Sequence, residues 1–416
     1  MSNTDQQTVA PLAGLKVLEF SHTIMGPCAG LLLADLGADV IKVEPAPDGD
    51  KTRLLPGFAS GFFSTFNRNK RSIAINLKTT EGQAVIHKLA EQADIVLDNY
   101  GPGTMAKLKC DWEDLAPTNP RLIYLSLKGF LKGPWQNRPA LDEVVQFHSG
   151  IAYMTGPPGQ PLRAGASIVD ILGAVFGVTA ALAALRQRDA TGVGQRVGSS
   201  LFESAAFLMA SHIAGGAAMG ETVPPMTARK GAWGVYDVFK AESGEPLFIG
   251  VTSDVQWQRF CQVFGLDSLK NNEQLATNPQ RTHAREWLIP CLAEHFRKLS
   301  LKSMIDGCHE ADISWAPVGR PEDLLTNEQL QAPGGLLDTA LDSINISNET
   351  NPADPAQHSS AQVALPALPL EFGDDRKRLG LRRQPPRLGE HTEGVLLESG
   401  FTQAAINDLQ TKGIAL

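Results

Sequence analysis

The sequence predicts an α/β protein: a Rossmann-like, doubly wound parallel sheet in a large domain, joined to a smaller α+β domain. Three observations carry this. Short apolar runs alternate with stretches of helical spacing through the first third of the 416 residues. The first two runs lie about one helix apart, as a βαβ unit requires. Beyond a stretch rich in glycine, alanine and proline, 214–225, the pattern changes to a hairpin followed by helices. The predicted domains are 1–213 (large domain, N-terminal part), a linker 214–230, a small domain 231–330, and 331–416 as a linker and return to the large domain.

Residues 15–20 read as the first buried strand, followed by a turn from Ser21 to Gly26. Pro27 suits a first helical turn, and 28–36 carries that helix to Gly37. Strands follow at 40–43 and 71–77. Residues 80–93 place Val85, Ile86, Leu89, Ala90 and Ala93 on one helical face. Further buried strands are expected at 95–97 and 122–125. Ligands of such sheets bind beyond the carboxyl ends of strands, here 21–25, 44–47, 99–101 and 128–130.

An almost wholly apolar helix is expected at 168–185, buried or packed on a partner. A strand at 195–197 precedes a helix at 201–212 that starts at the capping-box pattern Ser200-x-x-Glu203. In the small domain, runs 235–239 and 247–251 flank Glu242-Ser243-Gly244-Glu245 as a hairpin. Helices are expected at 255–264, 284–299 and 301–307, with Pro290 kinking or restarting the second. Residues 345–362 read as a polar loop, and 393–398 and 404–412 as closing helices.

Hydrophobic residues make up 43% and charged residues 20%, which is globular composition. With 37 basic against 45 acidic residues the net charge is -8, which disfavours nucleic acid and anionic lipid as partners. The five cysteines include no Cys-x-x-Cys pair, so neither a disulfide framework nor a structural zinc site is expected. The start of the chain has no secretory or transit pattern. The longest uncharged apolar run, 171–185, falls short of the roughly 20 residues of a spanning helix. The expectation is a reduced, cytoplasmic protein with no membrane partner.

A nicotinamide site is disfavoured, because 25–30 holds two glycines at the wrong spacing for Gly-x-Gly-x-x-Gly. Cys308-His309-Glu310 lacks the partners of a metal site, and none is expected. Asp170 stands out, because Ser167-Ile168-Val169-Asp170 leads into the apolar helix. It admits two readings. Ser167-x-x-Asp170 is a capping box, in which Asp170 bonds the helix-start amides. Alternatively, Asp170 is a carboxylate nucleophile at a helix N-terminus, aimed at an electrophilic carbonyl.

Pieces along nearly the whole chain carry a resemblance. They run from Pro11 to Phe20, Gly26-Pro27, Leu36 to Glu44, Asn67 to Ser72 and Asp98 to Gly103. Gly192-Val193-Gly194-Gln195 and Leu388 to Thr392 complete the set. In this order and spacing the chain resembles the class III CoA-transferases, the family of formyl-CoA and carnitine CoA-transferases and related acyl-CoA racemases. The resemblance implies that Asp170 is the nucleophile, forming an aspartyl anhydride and then an aspartyl-CoA thioester, and that Asp142 helps orient the site. It implies CoA contacts at Thr23, Ile24, Met25, Ile75, Lys78, Asn99, Tyr100, Gly101 and Lys107. It implies no cofactor beyond coenzyme A as substrate, acyl-CoA and carboxylic acid partners, and an interlocked homodimer.

Some positions depart from the family pattern. Pro45 stands for an adenine-stacking arginine, Ile24 for a glutamine near the thioester, and Lys107 for an arginine near the phosphates. The glycine-run loop of formyl-CoA transferase has no counterpart between Pro224 and Gly231. The racemase branch uses a histidine where this chain has Leu141, which cannot move a proton. These departures disfavour oxalate and racemisation, and the resemblance implies CoA transfer from succinyl-CoA or another short dicarboxylyl-CoA to a carboxylic acid. Arg53, Arg163 and Lys128 are candidates for a distal carboxylate. The alternatives are α-carbon racemisation and a non-catalytic CoA-binding protein.

Overall fold

The computed structural model describes residues 10–228, 231–341 and 361–416. It divides into one unit of 1–227 with 328–416 and a second of 228–327. The first is built on six parallel strands: β1 (Lys16–Phe20), β2 (Asp39–Pro45), β3 (Arg71–Ile75), β4 (Ile95–Asp98), β5 (Ile123–Lys128) and β6 (Gln195–Ser200). Their order is β3-β2-β1-β4-β5-β6. The chain therefore reverses direction across the sheet between β1 and β4, which opens a crevice at their carboxyl ends.

Both faces of the sheet are covered, and the strands alternate to serve them. Val17 and Leu97 point to the face packed by helix α1 (Met25–Asp35) and the long helix Ile168–Thr191. Leu18 and Val96 point to the face packed by Thr80–Ala90, Thr392–Glu398 and Gln403–Thr411. Residues 414–416 seal the β3 edge. Ile75 bridges Ala415, Asn76 N donates to Ile414 O at 2.8 Å, and Leu416 N donates to Ala74 O at 3.2 Å. An edge so covered offers no template for foreign strands.

Three charged side chains are fully buried beneath the crevice. Glu19 of β1 lies 2.8 Å from Lys70 Nζ and 3.6 Å from Lys42 Nζ. Lys70 also donates to Pro27 O and Asn67 Oδ1, both at 2.9 Å. Burial pulls Lys70 down to about 8, against the pull of Glu19.

In the second unit β7 (Val235–Lys240), β8 (Pro246–Val251) and β9 (Ser314–Pro317) form an antiparallel sheet. It packs over a core that includes Trp257, Phe260 and Phe296. The strands β10 (Leu336–Ala340) and β11 (Gln362–Pro366) pair antiparallel in the first unit.

Several elements differ from the sequence reading. Residues Ala210–Met219 form a helix where a linker is expected from 214, because alanine outweighs the two glycines. The expected helix 201–212 is instead two, Leu201–Leu208 and Ala210–Met219. The long helix runs on to Thr191 through charged residues and ends at Gly192 with φ 77°. At 24 residues it is long and apolar enough to cross a membrane by composition. Its Val169, Ala174, Val178, Ala181 and Leu185 are nonetheless packed in the core of this unit. Pro290 sits inside Arg285–Phe296 without ending it. The predicted loop 345–362 lies outside the described residues up to 360, and Gln362 already belongs to β11.

A Cβ at Gly30 of α1 would sit 1.7 Å from Glu19 Oε2. Gly30→Ala should therefore break the buried pair and destabilise the large unit by about 3–5 kcal/mol, read as a lowered urea midpoint.

Candidate active site

Ser167 is the N-cap residue of the long helix and makes no side-chain cap bond. The cap comes from a different helix, Asp142–Ser149. Asp142 Oδ2 accepts from Val169 N at 2.9 Å and Asp170 N at 3.0 Å. Its Oδ1 accepts from Gln146 Nε2 at 2.5 Å, and Gln146 Oε1 accepts from Ala164 N at 2.9 Å. The capping-box reading of Asp170 is thus corrected: Asp142 does the capping, because its carboxylate lies across the amides that Ser167 leaves open.

The carboxylate of Asp170 is consequently uncommitted. Among the described residues no hydrogen bond or ion pair reaches it. Burial, then the charges of Asp142 and Glu143, push its pKa up to about 7. It is a carboxylate with little solvation to lose, beside a helix N-terminus that favours negative charge.

The turn that leads into α1 reaches this place. Met25 opens α1, and a Cβ added at Gly173 would lie 2.5 Å from the Met25 methyl. Gly173 stands one turn beyond Asp170. The Cys28 thiol, pushed up to about 12 by burial, also feels the Asp170 charge. Asn99 clamps the turn from β4: Oδ1 accepts from His22 N at 3.0 Å, and Nδ2 donates to His22 O at 2.9 Å. The His22 and Tyr100 rings stack at 5.6 Å.

Of the predicted CoA contacts, the structure therefore gathers Thr23, Ile24, Met25, Asn99, Tyr100 and Gly101 at the β1 and β4 ends. The side chains of Ile24, Met25 and Ile75 are buried in the core. Lys78 and Lys107 are exposed just beyond β3 and β4. Among the described residues, neither bonds to the turn.

All three candidate carboxylate holders already pair with a carboxylate of the chain. Arg53 grips Glu44 at 2.8 and 2.9 Å and donates to Pro386 O. Lys128 pairs with Asp98 and Tyr100 O. Arg163 lies 3.2 Å from Glu143, which is one of the charges acting on Asp170. A cavity of about 550 Å³ at the ends of β4, β5 and β6 is lined by Gly101, Lys128, Lys132 and Arg196. Asp170 does not line it. His148 lies against Trp135 and Phe202. Among the described residues no three His, Cys, Asp or Glu side chains gather to hold a metal.

Residues missed from sequence also shape the site, namely Lys42, Asp50 and Thr52. Their signal was a charge, Lys42, inside the apolar strand Val40-Ile41-Lys42-Val43.

The architecture and the crevice define a ligand-binding α/β enzyme scaffold, and comparison with known proteins specifies it. The model of CoA-transferase family III matches residues 12–392. An acyl-CoA transferase of Fusarium pseudograminearum is 33% identical, over 97% of this chain and 88% of the relative. The succinate–glutarate CoA-transferase of Agrobacterium fabrum is 31% identical, over 93% and 95%. Among solved structures, a CAIB/BAIF family protein from Brucella suis superposes with TM-score 0.79 at 29% identity, over 94% of this chain and 99% of that one. The chain belongs to CoA-transferase family III and is a transferase enzyme.

The Asp170 carboxyl carbon should titrate near about 7 by 13C NMR in the wild-type chain. Asp142→Asn removes one of the raising charges, so the midpoint should fall. An unmoved midpoint would contradict this account of the electrostatics.

Proposed function

We propose that this enzyme moves CoA from succinyl-CoA, or another short dicarboxylyl-CoA, to a carboxylic acid through covalent intermediates on Asp170. The observation that carries this is the uncommitted carboxylate of Asp170, beside a turn anchored on β4. The names of the relatives support the substrate class, since the Agrobacterium protein and a human succinyl-CoA:glutarate CoA-transferase (28% identical) act on dicarboxylates.

In the first step an Asp170 oxygen attacks the thioester carbon. The C–S bond breaks, leaving an aspartyl anhydride and CoA thiolate. The thiolate then attacks the Asp170 carbonyl, releasing the donor as a free carboxylate and leaving an aspartyl-CoA thioester. The acceptor carboxylate attacks that thioester and displaces thiolate again. Finally the thiolate attacks the acceptor's acyl carbon, and Asp170 leaves as carboxylate. Each step exchanges one acyl bond for another of similar energy, so no cofactor beyond CoA is needed. Low solvation leaves the nucleophile little water to shed before attack.

Lys78 and Lys107, both exposed at the carboxyl edge of the sheet, are assigned to the CoA phosphates. Arg163 is assigned to the distal carboxylate of the acid, given its place beside Glu143. The proposal includes a homodimer. Val144, Phe147, Ile171, Val175, Phe207 and Ile213, on the helices around Asp170, are each at least 40% exposed, an apolar surface that a second copy would cover. The five free cysteines suit a reducing, cytoplasmic setting.

Incubation with succinyl-CoA should leave an adduct on the Asp170 peptide that hydroxylamine converts to a hydroxamate. Asp170→Asn should form none and lose turnover, since an amide cannot make the anhydride. An active Asp170→Asn enzyme, with its amide confirmed unhydrolysed, would remove this mechanism. The reactive form is the ionised one, so kcat/KM should rise as pH climbs through about 7 and level off above it. A profile that stays flat from about one and a half pH units below that midpoint to the same distance above it would argue that Asp170 is not the group being titrated.

A further inference from the structure

Thr23 holds a φ of 65°. For a β-branched side chain this left-handed conformation is a genuine outlier, and such outliers persist only where the surroundings over-determine them. Here they do so by a closed circuit of polar groups. Thr23 N donates to Thr52 Oγ1 at 2.8 Å. The Thr52 hydroxyl donates to Asp50 Oδ1 at 2.7 Å, and Thr52 N donates to the same oxygen at 2.9 Å. Asp50 Oδ2 pairs with Lys42 Nζ at 2.9 Å. Lys42 then donates to Ser21 O at 2.9 Å, two residues before Thr23. Asn99 holds both backbone groups of the residue between them, His22.

Three consecutive residues are therefore pinned at their main chain, by side chains from three separate elements. Thr52, Asp50 and Lys42 are all buried, so none of them is placed to touch a substrate. The strained turn they hold ends at Met25, whose methyl meets the long helix one turn from Asp170.

We infer that Thr52, backed by Asp50 and Lys42, is a positioning residue that fixes the 23–25 turn so that a thioester lying on it faces Asp170. This rests on the proposed function above. The strain is the mark of that role: a turn that served only to connect β1 to α1 could take glycine or a relaxed residue at 23. Here the chain keeps threonine in a costly conformation and uses a buried hydroxyl to secure it. The phosphate end of CoA is assigned to Lys78 and Lys107, which lie outside the circuit. Loosening the turn should accordingly disturb alignment at the thioester and leave overall CoA affinity nearly intact.

The test compares Thr52→Val, which keeps the shape and removes the hydroxyl, with Thr52→Ser, which keeps the hydroxyl. Misplacement at the reacting end should lower kcat of the valine variant on the order of 10²-fold, with KM for succinyl-CoA within about threefold. Single-turnover formation of the Asp170 adduct should slow by the same factor, and serine should restore both. A valine variant with wild-type kcat would overturn the inference. So would equal losses in both variants that track a lowered melting temperature, which is the pattern of a structural role alone. If the valine variant does not fold, Thr52→Ala removes the same hydroxyl and is judged by the same comparison. Failure of the underlying reading is seen separately, in wild-type enzyme that forms no Asp170 adduct with any acyl-CoA.

Discussion

Taking a carboxylate out of water costs several kcal/mol unless cations and donors replace the solvent around it. Glu19 lies fully buried in the central strand of the sheet, and everything near it is arranged to meet that demand. Lys70 arrives from the segment before β3, Lys42 from β2, and the Ser21 hydroxyl from the strand's own end. Because Lys70 also donates to Pro27 O, the same cluster ties the first turn of α1 to the sheet. Because Lys42 also holds Ser21 O and Asp50, it ties the turn before α1 as well. The position of the crevice wall thus follows from how one buried charge is neutralised. Gly30 is part of the arrangement, since only a residue without a Cβ leaves room for the Glu19 carboxylate.

The two aspartates near the long helix show how environment divides labour between identical groups. Asp142 accepts two amides and a carboxamide, so its charge is committed to structure. Asp170, whose own backbone amide is one of those donors, receives no hydrogen bond at its carboxylate from the described residues. Burial and its neighbour's charge hold its proton more tightly than usual. Had Asp170 capped its own helix, its carboxylate would be as occupied as that of Asp142. Borrowing the cap from another helix is what leaves it available.

Much of the fold was legible in the sequence, because strands buried on both faces read as continuous apolar runs and their helices as periodic ones. The β1–α1–β2 unit and the hairpin around Ser243-Gly244 are read directly in this way. Asp170 was conspicuous as a charge entering an apolar helix. The capping role of Asp142 was not legible, because it acts across 27 residues of sequence on Val169. Thr52 was hidden for the same reason, with its partner Thr23 lying 29 residues earlier. Ala210–Met219 was misread because glycine and alanine together resemble a linker by composition, although the alanines carry enough helix propensity to offset the two glycines.

The sealing of the β3 edge by Ile414, Ala415 and Leu416 bears on how the molecule comes to exist. A ribosome makes β3 long before the segment that covers it. The 228–327 unit, a compact body in its own right, emerges complete in the meantime. The β3 edge of the nascent large unit stays open until the segments that cover it, 389–392 at Ser72 and Ala74 and 414–416 at Ala74 to Asn76, have been made. That interval is when a slow, non-local topology is most open to wrong pairing. Without residues 414–416 the Ile75 end of that edge would keep its backbone groups open after the rest of the sheet had closed.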